Sequence, residues 1–156
     1  MKNLLILSLM ILSLSANAQD KETTYKNALI DHNKKVIASF YDALERKDYS
    51  QLNGIIDFYG KAVYANQSKN VQDTIQGREA IGTQFRSELG AFAKVKYTTK
   101  IYESEDPSLV SVKVKGLLTS ADGVKTQSNY MATFKLKNGK IVEYVEYDNL
   151  SQSGRS

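Results

Sequence analysis

Two carboxylates near the end of the chain, Glu146 and Asp148, have the spacing of groups that can act together. In an extended strand, residues two apart point to the same face and lie roughly 7 Å apart, so one carboxylate can raise the pKa of the other. A carboxylate with a raised pKa can serve as a general base. The alternative is an ordinary solvated strand end, and the sequence leaves both interpretations open.

The face that this strand turns inward decides between the two interpretations. If Val142 and Tyr144 share a face that turns toward a pocket, Glu146 and Asp148 face it as well, because all four lie on one side of the strand. If Ile141, Val145 and Tyr147 face inward instead, the two acids are exterior. Both apolar patterns are present in the segment.

Other groups that perform chemistry in proteins are sparse in this chain. His32 is the only histidine and there is no cysteine, so the usual zinc ligand sets cannot form. We therefore predict that His32 is a surface residue. The acidic residues Glu103, Glu105 and Asp106 stand in a predicted loop, where we expect them to be solvated. The sequence predicts neither a metal site nor a bound cofactor.

The two carboxylates belong to a hairpin that needs the rest of the chain as cover. Residues 130–150 read as two strands joined at Asn138-Gly139, a pair that tolerates the positive φ angles of a two-residue turn. Phe134 precedes the turn and Ile141 follows it. Because an isolated hairpin cannot bury its apolar face, upstream elements must cover it.

Two more long strands and three helices precede the hairpin in this prediction. Apolar residues alternate with polar ones over 93–101 and 110–115, as in half-buried antiparallel strands. Helical periodicity predicts helices over 21–47, 49–58 and 77–89, with short strands over the intervening 62–75 region. Helices that precede a run of antiparallel strands indicate an α+β domain in which three helices cover a strongly curved sheet.

The first residues have the three parts of a secretory signal peptide. Lys2 is followed by an apolar run over 4–14 and by a small-x-small cleavage site at 16–18. The run is shorter than the roughly 20 residues that a membrane-spanning helix needs. We predict cleavage after Ala18 and export to the periplasm or the medium of a bacterium.

Composition sets the remaining expectations. The 156 residues carry a formal net charge of +4, or +3 once Lys2 is removed with the leader. Because basic and acidic residues alternate without a basic block, nucleic acid is not an expected partner, and no stable membrane anchor is expected after cleavage. We predict a signal peptide over residues 1–18, one domain over 19–150 and a polar tail over 151–156.

Three stretches of the chain occur in an order and with separations that are typical of one superfamily. They are IASFYDALERKDYSQLNGII from Ile37, GREAIGTQF from Gly77 and NGKIVEYVEYDN from Asn138. Over residues 33–150 the chain resembles the SnoaL-like and ketosteroid-isomerase-like branch of the nuclear transport factor 2-like superfamily. The resemblance implies a cone-shaped domain with a ligand pocket between the helices and the concave sheet. It also implies a homodimer formed through the outer face of the sheet.

The resemblance also implies which residues line the pocket. The expected ligand-binding residues are Phe40, Tyr41, Tyr64, Asn66, Phe85, Tyr97 and Tyr130. Tyrosines suit this role because a phenol buries its ring while offering a hydrogen bond. Glu146 and Asp148 follow the G-K-I turn, in the region where SnoaL-like proteins often carry acids near the pocket mouth, and they are the catalytic candidates.

Ketosteroid isomerase activity itself is not expected. Phe40 stands where that family has its oxyanion-hole tyrosine, and Asn66 stands where it has its general-base aspartate. Phenylalanine has no proton to donate, and an amide cannot accept one at neutral pH. The neighbouring Tyr41 is not a simple replacement, because one residue along a helix turns the side chain by about 100°.

Two functions of different classes remain open. The first is an exported domain that binds a small, partly apolar molecule in the cone without catalysis, because the isomerase base and donor are missing. The second is a SnoaL-like lyase, isomerase or hydrolase that uses Glu146 or Asp148 as its general base. The two hypotheses differ in whether one of these carboxylates opens into the pocket.

Overall fold

The computed structural model describes the backbone of residues 2–56, 63–66 and 73–148, and the side chains of residues 20–56 and 75–147. Its helices are α1 (Lys2–Arg46), α2 (Tyr49–Ile55) and α3 (Arg78–Gly90). Its strands are β1 (Val63–Asn66), β2 (Asp73–Gln76), β3 (Phe92–Glu103), β4 (Leu109–Ser120), β5 (Lys125–Lys137) and β6 (Lys140–Asp148). Three helices with a largely antiparallel sheet confirm the predicted α+β class. The predicted polar tail, 151–156, lies outside the described residues.

Helix α1 packs one apolar stripe against the sheet. Ile37, Phe40, Tyr41 and Leu44 are nearly fully buried, as their spacing of three and four residues predicts. The helix begins at Lys2 and continues through the expected cleavage site, so it is longer than the amphipathic pattern alone indicates. In the described part of the chain, no helix is long and apolar enough to cross a membrane.

Short local signals define the other two helices. The carboxylate of Asp48 accepts a hydrogen bond from Gln51 N at 2.9 Å and caps the start of α2. Ile56 is already extended and forms a bridge with Ile141, so α2 ends earlier than predicted. Gly77 precedes α3 with a φ of 96°, a conformation that favours glycine.

The six strands form one sheet in the order β2-β1-β6-β5-β4-β3. Strands β3 to β6 pair antiparallel with their neighbours in sequence, as predicted, whereas β1 pairs with β6 in parallel. The β5–β6 hairpin turns at Asn138 and Gly139, whose φ angles are 52° and 70°. This hairpin therefore lies at the centre of the sheet, where the helices cover its inner face.

The sheet has an apolar inner face and a polar outer face. Val112 and Val114 of β4 and Ala132 and Phe134 of β5 are completely or almost completely buried in the core that the helices share. Residues that alternate with them, such as Lys113, are exposed. Strand alternation thus assigns the side chains of β3, β4 and β5 to one face or the other.

A β-bulge near the start of β6 changes which of its residues turn inward. The pairing of β6 with β5 shifts by one residue at Val142, which is an extra residue in β6. Ile141 and Tyr144 are consequently both buried, although they are three residues apart. The two alternatives that the sequence leaves open are thereby combined, because Ile141 faces inward before the bulge and Tyr144 after it.

Polar contacts hold α1 along β3, which is an edge strand. Glu45 Oε1 accepts a hydrogen bond from Tyr97 N at 2.5 Å. Nearer the start of the helix, Asn33 Nδ2 donates to the Pro107 carbonyl oxygen at 2.7 Å. The first contact uses an N–H that an edge strand would otherwise expose. Together they fix α1, and with it Tyr41, over the inner face of the sheet.

Candidate functional site

Four tyrosines and one carboxylate meet on the inner face of the sheet. Helix α1 provides Tyr41, β3 provides Tyr97, β5 provides Tyr130, and β6 provides Tyr144 and Glu146; we call these five residues the tyrosine–glutamate cluster. The ring centroids of Tyr41 and Tyr97 are 5.3 Å apart. The exposed fractions of Tyr41, Tyr130 and Tyr144 are 4%, 7% and 3%. Four elements that are distant in sequence therefore place one phenol each in a single buried region.

Hydrogen bonding within the cluster is incomplete. Tyr144 Oη donates to Glu146 Oε1. The Tyr41 hydroxyl lies near the hydroxyls of Tyr144 and Tyr130, yet it has no hydrogen-bond partner of good geometry among the described residues. A buried polar group left without a partner costs about 1–3 kcal/mol.

The four phenols keep their protons far above neutral pH. Burial raises the pKa of Tyr41, Tyr97, Tyr130 and Tyr144 above the ordinary phenol value of 10.0, and the negative charge of Glu146 raises each pKa further. Each hydroxyl can therefore donate a hydrogen bond at any physiological pH. The cluster sets neutral donors beside one carboxylate acceptor.

Phenylalanines form the floor of the cluster. Phe40 packs edge-on against Phe85 and Phe134, with centroid distances of 5.7 and 5.3 Å. Tyr144 packs on this group, with its centroid 4.7 Å from that of Phe134. Phe40 and Phe85, two of the expected ligand-binding residues, thus lie beneath the cluster and support Tyr144.

The accessible side of the cluster is formed by Tyr97 and Glu146, its two half-buried members. Gly116 of β4 lies opposite Tyr97 in the sheet. A Cβ at this glycine would lie 3.3 Å from the Tyr97 ring and 2.4 Å from Ser128 Oγ. Because glycine has no side chain, the Tyr97 ring can approach the sheet closely at Gly116.

Three of the expected site residues are described only by their backbone. The register of β1 sets Tyr64 and Asn66 beside residues 144–146 of β6. Asp148 pairs with Tyr130 at the end of β6. The side chains of Tyr64, Asn66 and Asp148 lie outside the part of the chain that the structure describes, so their ligand-binding and catalytic roles stay predictions.

Helix geometry separates the two neighbouring aromatic residues of α1. Phe40 contributes to the floor, whereas Tyr41 points toward Tyr97 and the hydroxyls of β5 and β6. Both are buried because the inward stripe of an amphipathic helix is at least 100° wide. Tyr41 does not occupy the position of Phe40, but it brings a phenol to the same buried region.

Sequence reasoning left the inward orientation of Tyr144 as one of two alternatives and did not single out Gly116. The available signal for Tyr144 is its position two residues before Glu146, which puts both side chains on one face of a strand. The bulge at Val142 conceals this signal, because Ile141 is equally apolar and has the opposite parity. Gly116 stands in an alternating strand, where a glycine often marks a close approach.

Among the described residues, no three His, Asp or Glu side chains group closely enough to hold a metal ion. His32 is exposed, as predicted, but its ring packs against the β5–β6 turn. A Cβ built on Gly139 would lie 2.7 Å from His32 Nε2. The contact joins α1 to the central hairpin.

Comparison with known proteins adds a family to this geometry. A family model described as a SnoaL-like domain matches residues 37–144. The matched range includes Tyr41, Tyr97, Tyr130 and Tyr144 and ends just before Glu146. A search of curated proteins finds no match in sequence.

Solved structures share the fold at low sequence identity. The phenazine biosynthesis-related protein PhzB2 of Pseudomonas aeruginosa has a TM-score of 0.67 and 15% identity, covering 79% of this chain and 78% of its own. An LEH-like epoxide hydrolase of Mycobacterium tuberculosis has a TM-score of 0.61 and 19% identity, covering 77% and 84%. Rv0760c of Mycobacterium tuberculosis, in complex with estradiol-17beta-hemisuccinate, has a TM-score of 0.65 and 17% identity, covering 76% and 95%. At these identities the likeness concerns the fold.

Proposed function

The chain belongs to the SnoaL-like domain family, within the nuclear transport factor 2-like fold, and we propose that it binds a small, partly apolar molecule through the tyrosine–glutamate cluster. The apolar part of this molecule packs on the aromatic rings. Its polar group is a hydroxyl or a carbonyl that lies between Tyr41 and Glu146. In this proposal the molecule is bound without being turned over.

The observation that carries the proposal is the buried hydroxyl of Tyr41, which lacks a partner among the described residues. A ligand hydroxyl would accept a hydrogen bond from Tyr41 and donate one to Glu146, which also accepts one from Tyr144. A ligand carbonyl would satisfy Tyr41 alone. The complex of Rv0760c with estradiol-17beta-hemisuccinate supports the view that this fold can hold a small molecule.

Binding of a matched pair of probes tests the proposal. 2-Naphthol and 2-methylnaphthalene have similar apolar bodies, but only the first has a hydroxyl. We expect 2-naphthol to bind more tightly, and we expect Tyr41→Phe to weaken its binding by about threefold to tenfold, the value of one hydrogen bond. Tyr25→Phe is the control, because Tyr25 is 72% exposed. Equal binding of the two probes to the unmodified protein would contradict the proposal.

A second function, general-base catalysis by Glu146, has its own support. Tyr144 donates a hydrogen bond to Glu146, and the phenols around it stay protonated. A carboxylate base beside neutral donors is the arrangement that a proton-transfer reaction of a lyase, isomerase or hydrolase needs. Asp148 is the other candidate base, because its backbone position adjoins Tyr130.

An activated probe distinguishes catalysis from binding alone. The ring of 5-nitrobenzisoxazole opens when a base removes one proton, so it reports a general base without knowledge of the natural substrate. If Glu146 is the base, Glu146→Gln abolishes the acceleration over buffer while Asp148→Asn retains it. The reverse result assigns Asp148. No acceleration by the unmodified protein favours the binding function.

Export and self-association are further parts of the proposal. The leader over residues 1–18 supports export to the periplasm or the medium, and the intact mass of the exported protein tests cleavage after Ala18. For a homodimer through the outer face, the half-buried Met131 and Thr133 and the 40% exposed Tyr102 are the candidate contacts. Sedimentation at micromolar concentration distinguishes a dimer from a monomer.

A further inference from the structure

Strands β3, β4 and β5 carry eight lysines, and the strand register puts every one of them on the outer face of the sheet. All eight are exposed: Lys94, Lys96, Lys100, Lys113, Lys115, Lys125, Lys135 and Lys137. The outer face of these three strands holds no carboxylate. We call this surface the lysine face.

The positive charge of this surface is concentrated rather than balanced. Lys100 lies directly opposite Lys113, a like-charge pair that destabilises a sheet. Described carboxylates touch only the border, where Glu45 pairs with Lys96 at 3.0 Å and Glu143 of β6 stands opposite Lys135. The whole chain has a formal net charge of only +4. The lysine face is therefore much more positive than the molecule as a whole.

An open depression of about 420 Å³ lies within the lysine face. Its polar lining side chains are Lys96, Thr98, Lys115, Gln127 and Asn129, and its apolar one is Leu117. Each of the polar side chains carries at least one hydrogen-bond donor, and both lysines carry a positive charge. The depression is thus suited to an anionic group with several acceptor oxygens.

We propose that the lysine face binds a flexible polyanion, namely an acidic polysaccharide with a sulfate or carboxylate group on each repeat. The depression between Lys96 and Lys115 receives one anionic group, and the surrounding lysines contact its neighbours along the polymer. Charge complementarity supplies the attraction, so binding weakens as salt increases.

Two other kinds of partner fit the lysine face less well. A lipid surface would meet no fully protruding apolar anchor, because Tyr102, Leu109 and Leu117 are only 40%, 42% and 37% exposed and the central donors line a concavity. Single-stranded nucleic acid needs aromatic platforms for its bases. Tyr102 is the one aromatic residue on the outer face of β3, β4 and β5, and the Lys100 ammonium lies 5.2 Å from its ring centroid.

The test compares dextran sulfate with uncharged dextran, two polymers with the same backbone. We expect the full chain to bind dextran sulfate at low salt, to release it at high salt, and not to bind dextran. The double variant Lys113→Gln/Lys115→Gln should weaken binding by about tenfold. The control Lys21→Gln/Lys26→Gln removes the same charge from α1 and should change binding by less than about twofold. Lys135→Gln/Lys137→Gln replaces the first double variant if that one fails to fold.

Three results would overturn the inference. One is equal weakening by the face variant and the control, which would make net charge rather than the face responsible. Another is tighter binding to single-stranded DNA than to dextran sulfate of equal charge. The third is binding to vesicles that contain about 30 mol% phosphatidylglycerol without binding to dextran sulfate.

Discussion

At the scale of single residues, the chemistry of the candidate site depends on phenols whose pKa is raised above the ordinary value in the folded protein. Burial, followed by the charge of Glu146, raises the pKa of Tyr41, Tyr97 and Tyr144 above 10.0, and the same two causes act on Tyr130. In the unfolded chain these phenols return to their ordinary pKa. The folded state therefore binds more protons than the unfolded state above about pH 10.

The sign of this difference predicts a loss of stability in alkali. Below pH 10 both states hold the phenolic protons, so the contribution of the cluster to stability is fully present. As the pH rises past 10, the unfolded state loses protons first, and the free energy of unfolding falls. Urea midpoints measured between about pH 8 and pH 11 check this expectation. Tyr130→Phe should flatten the alkaline decline, whereas Tyr25→Phe should leave its slope unchanged.

At the scale of elements, two turn glycines form a matched pair. Gly123 in the β4–β5 turn and Gly139 in the β5–β6 turn have φ angles of 86° and 70°. A Cβ at Gly123 meets nothing within 4 Å, whereas one at Gly139 meets His32 Nε2 at 2.7 Å. Alanine at either position incurs the strain of a left-handed backbone, but only alanine at Gly139 also disturbs the contact between the hairpin and α1.

Stability measurements on the two alanine variants separate these effects. Gly123→Ala should lower the free energy of unfolding by about 1 kcal/mol, and Gly139→Ala by about 1 kcal/mol more. Adding His32→Ala to Gly139→Ala should restore the additional loss in the free energy of unfolding. Adding it to Gly123→Ala should leave the free energy of unfolding unchanged. If Gly139→Ala costs no more than Gly123→Ala, His32 moves aside freely and the helix–hairpin contact does not constrain the turn.

Elements with a regular period could be predicted from the sequence, and those that depend on pairing could not. The apolar stripe that includes Phe40 and Leu44 is a local sequence pattern, and so is the alternation of apolar and polar residues along β4. The buried residues follow both patterns. The parallel pairing of β1 with β6 joins segments more than 70 residues apart, and no local pattern encodes it. The bulge at Val142 is equally hidden, because a valine in a bulge looks like any other strand residue. The sequence left the orientation of Tyr144 open because that one extra residue cannot be recognised in it.

The lysine face shows the same limit at the scale of the sheet. Along β3 and β4, lysines alternate with apolar residues, so no stretch of sequence looks strongly basic. Alternation is the pattern that collects every second residue on one face. Antiparallel register then sets Lys100 beside Lys113 and adds the lysines of β5. A chain without a basic block can therefore fold so that its lysines gather on one face of the sheet. The sequence gives no direct sign of such a surface.

At the scale of the whole molecule, the proposed homodimer and the proposed polyanion use the same outer face. In a two-fold symmetric dimer, the same surface of each copy forms the interface. If the contact includes Lys113 and Lys115, it opposes like charges. Because Lys113 pairs directly with Met131, the dimer should be centred on the β6 side of β5, nearer Thr133 and Tyr147, with Met131 at its border. The lysines of β3 and β4 then repel one another across the edge of the interface.

This charge arrangement predicts opposite responses to salt. Raising the salt from about 0.05 M to about 0.5 M shortens the reach of electrostatic repulsion, so the dimer should tighten. The same change should weaken binding of dextran sulfate, because salt competes with the attraction between lysines and sulfates. Sedimentation equilibrium over this range measures the first response, and the dextran sulfate titration measures the second. Met131→Lys should dissociate the dimer without weakening the polymer binding. A dimer that loosens with salt would mean that attractive ion pairs hold it, and the two copies would then meet through a surface other than the lysine face.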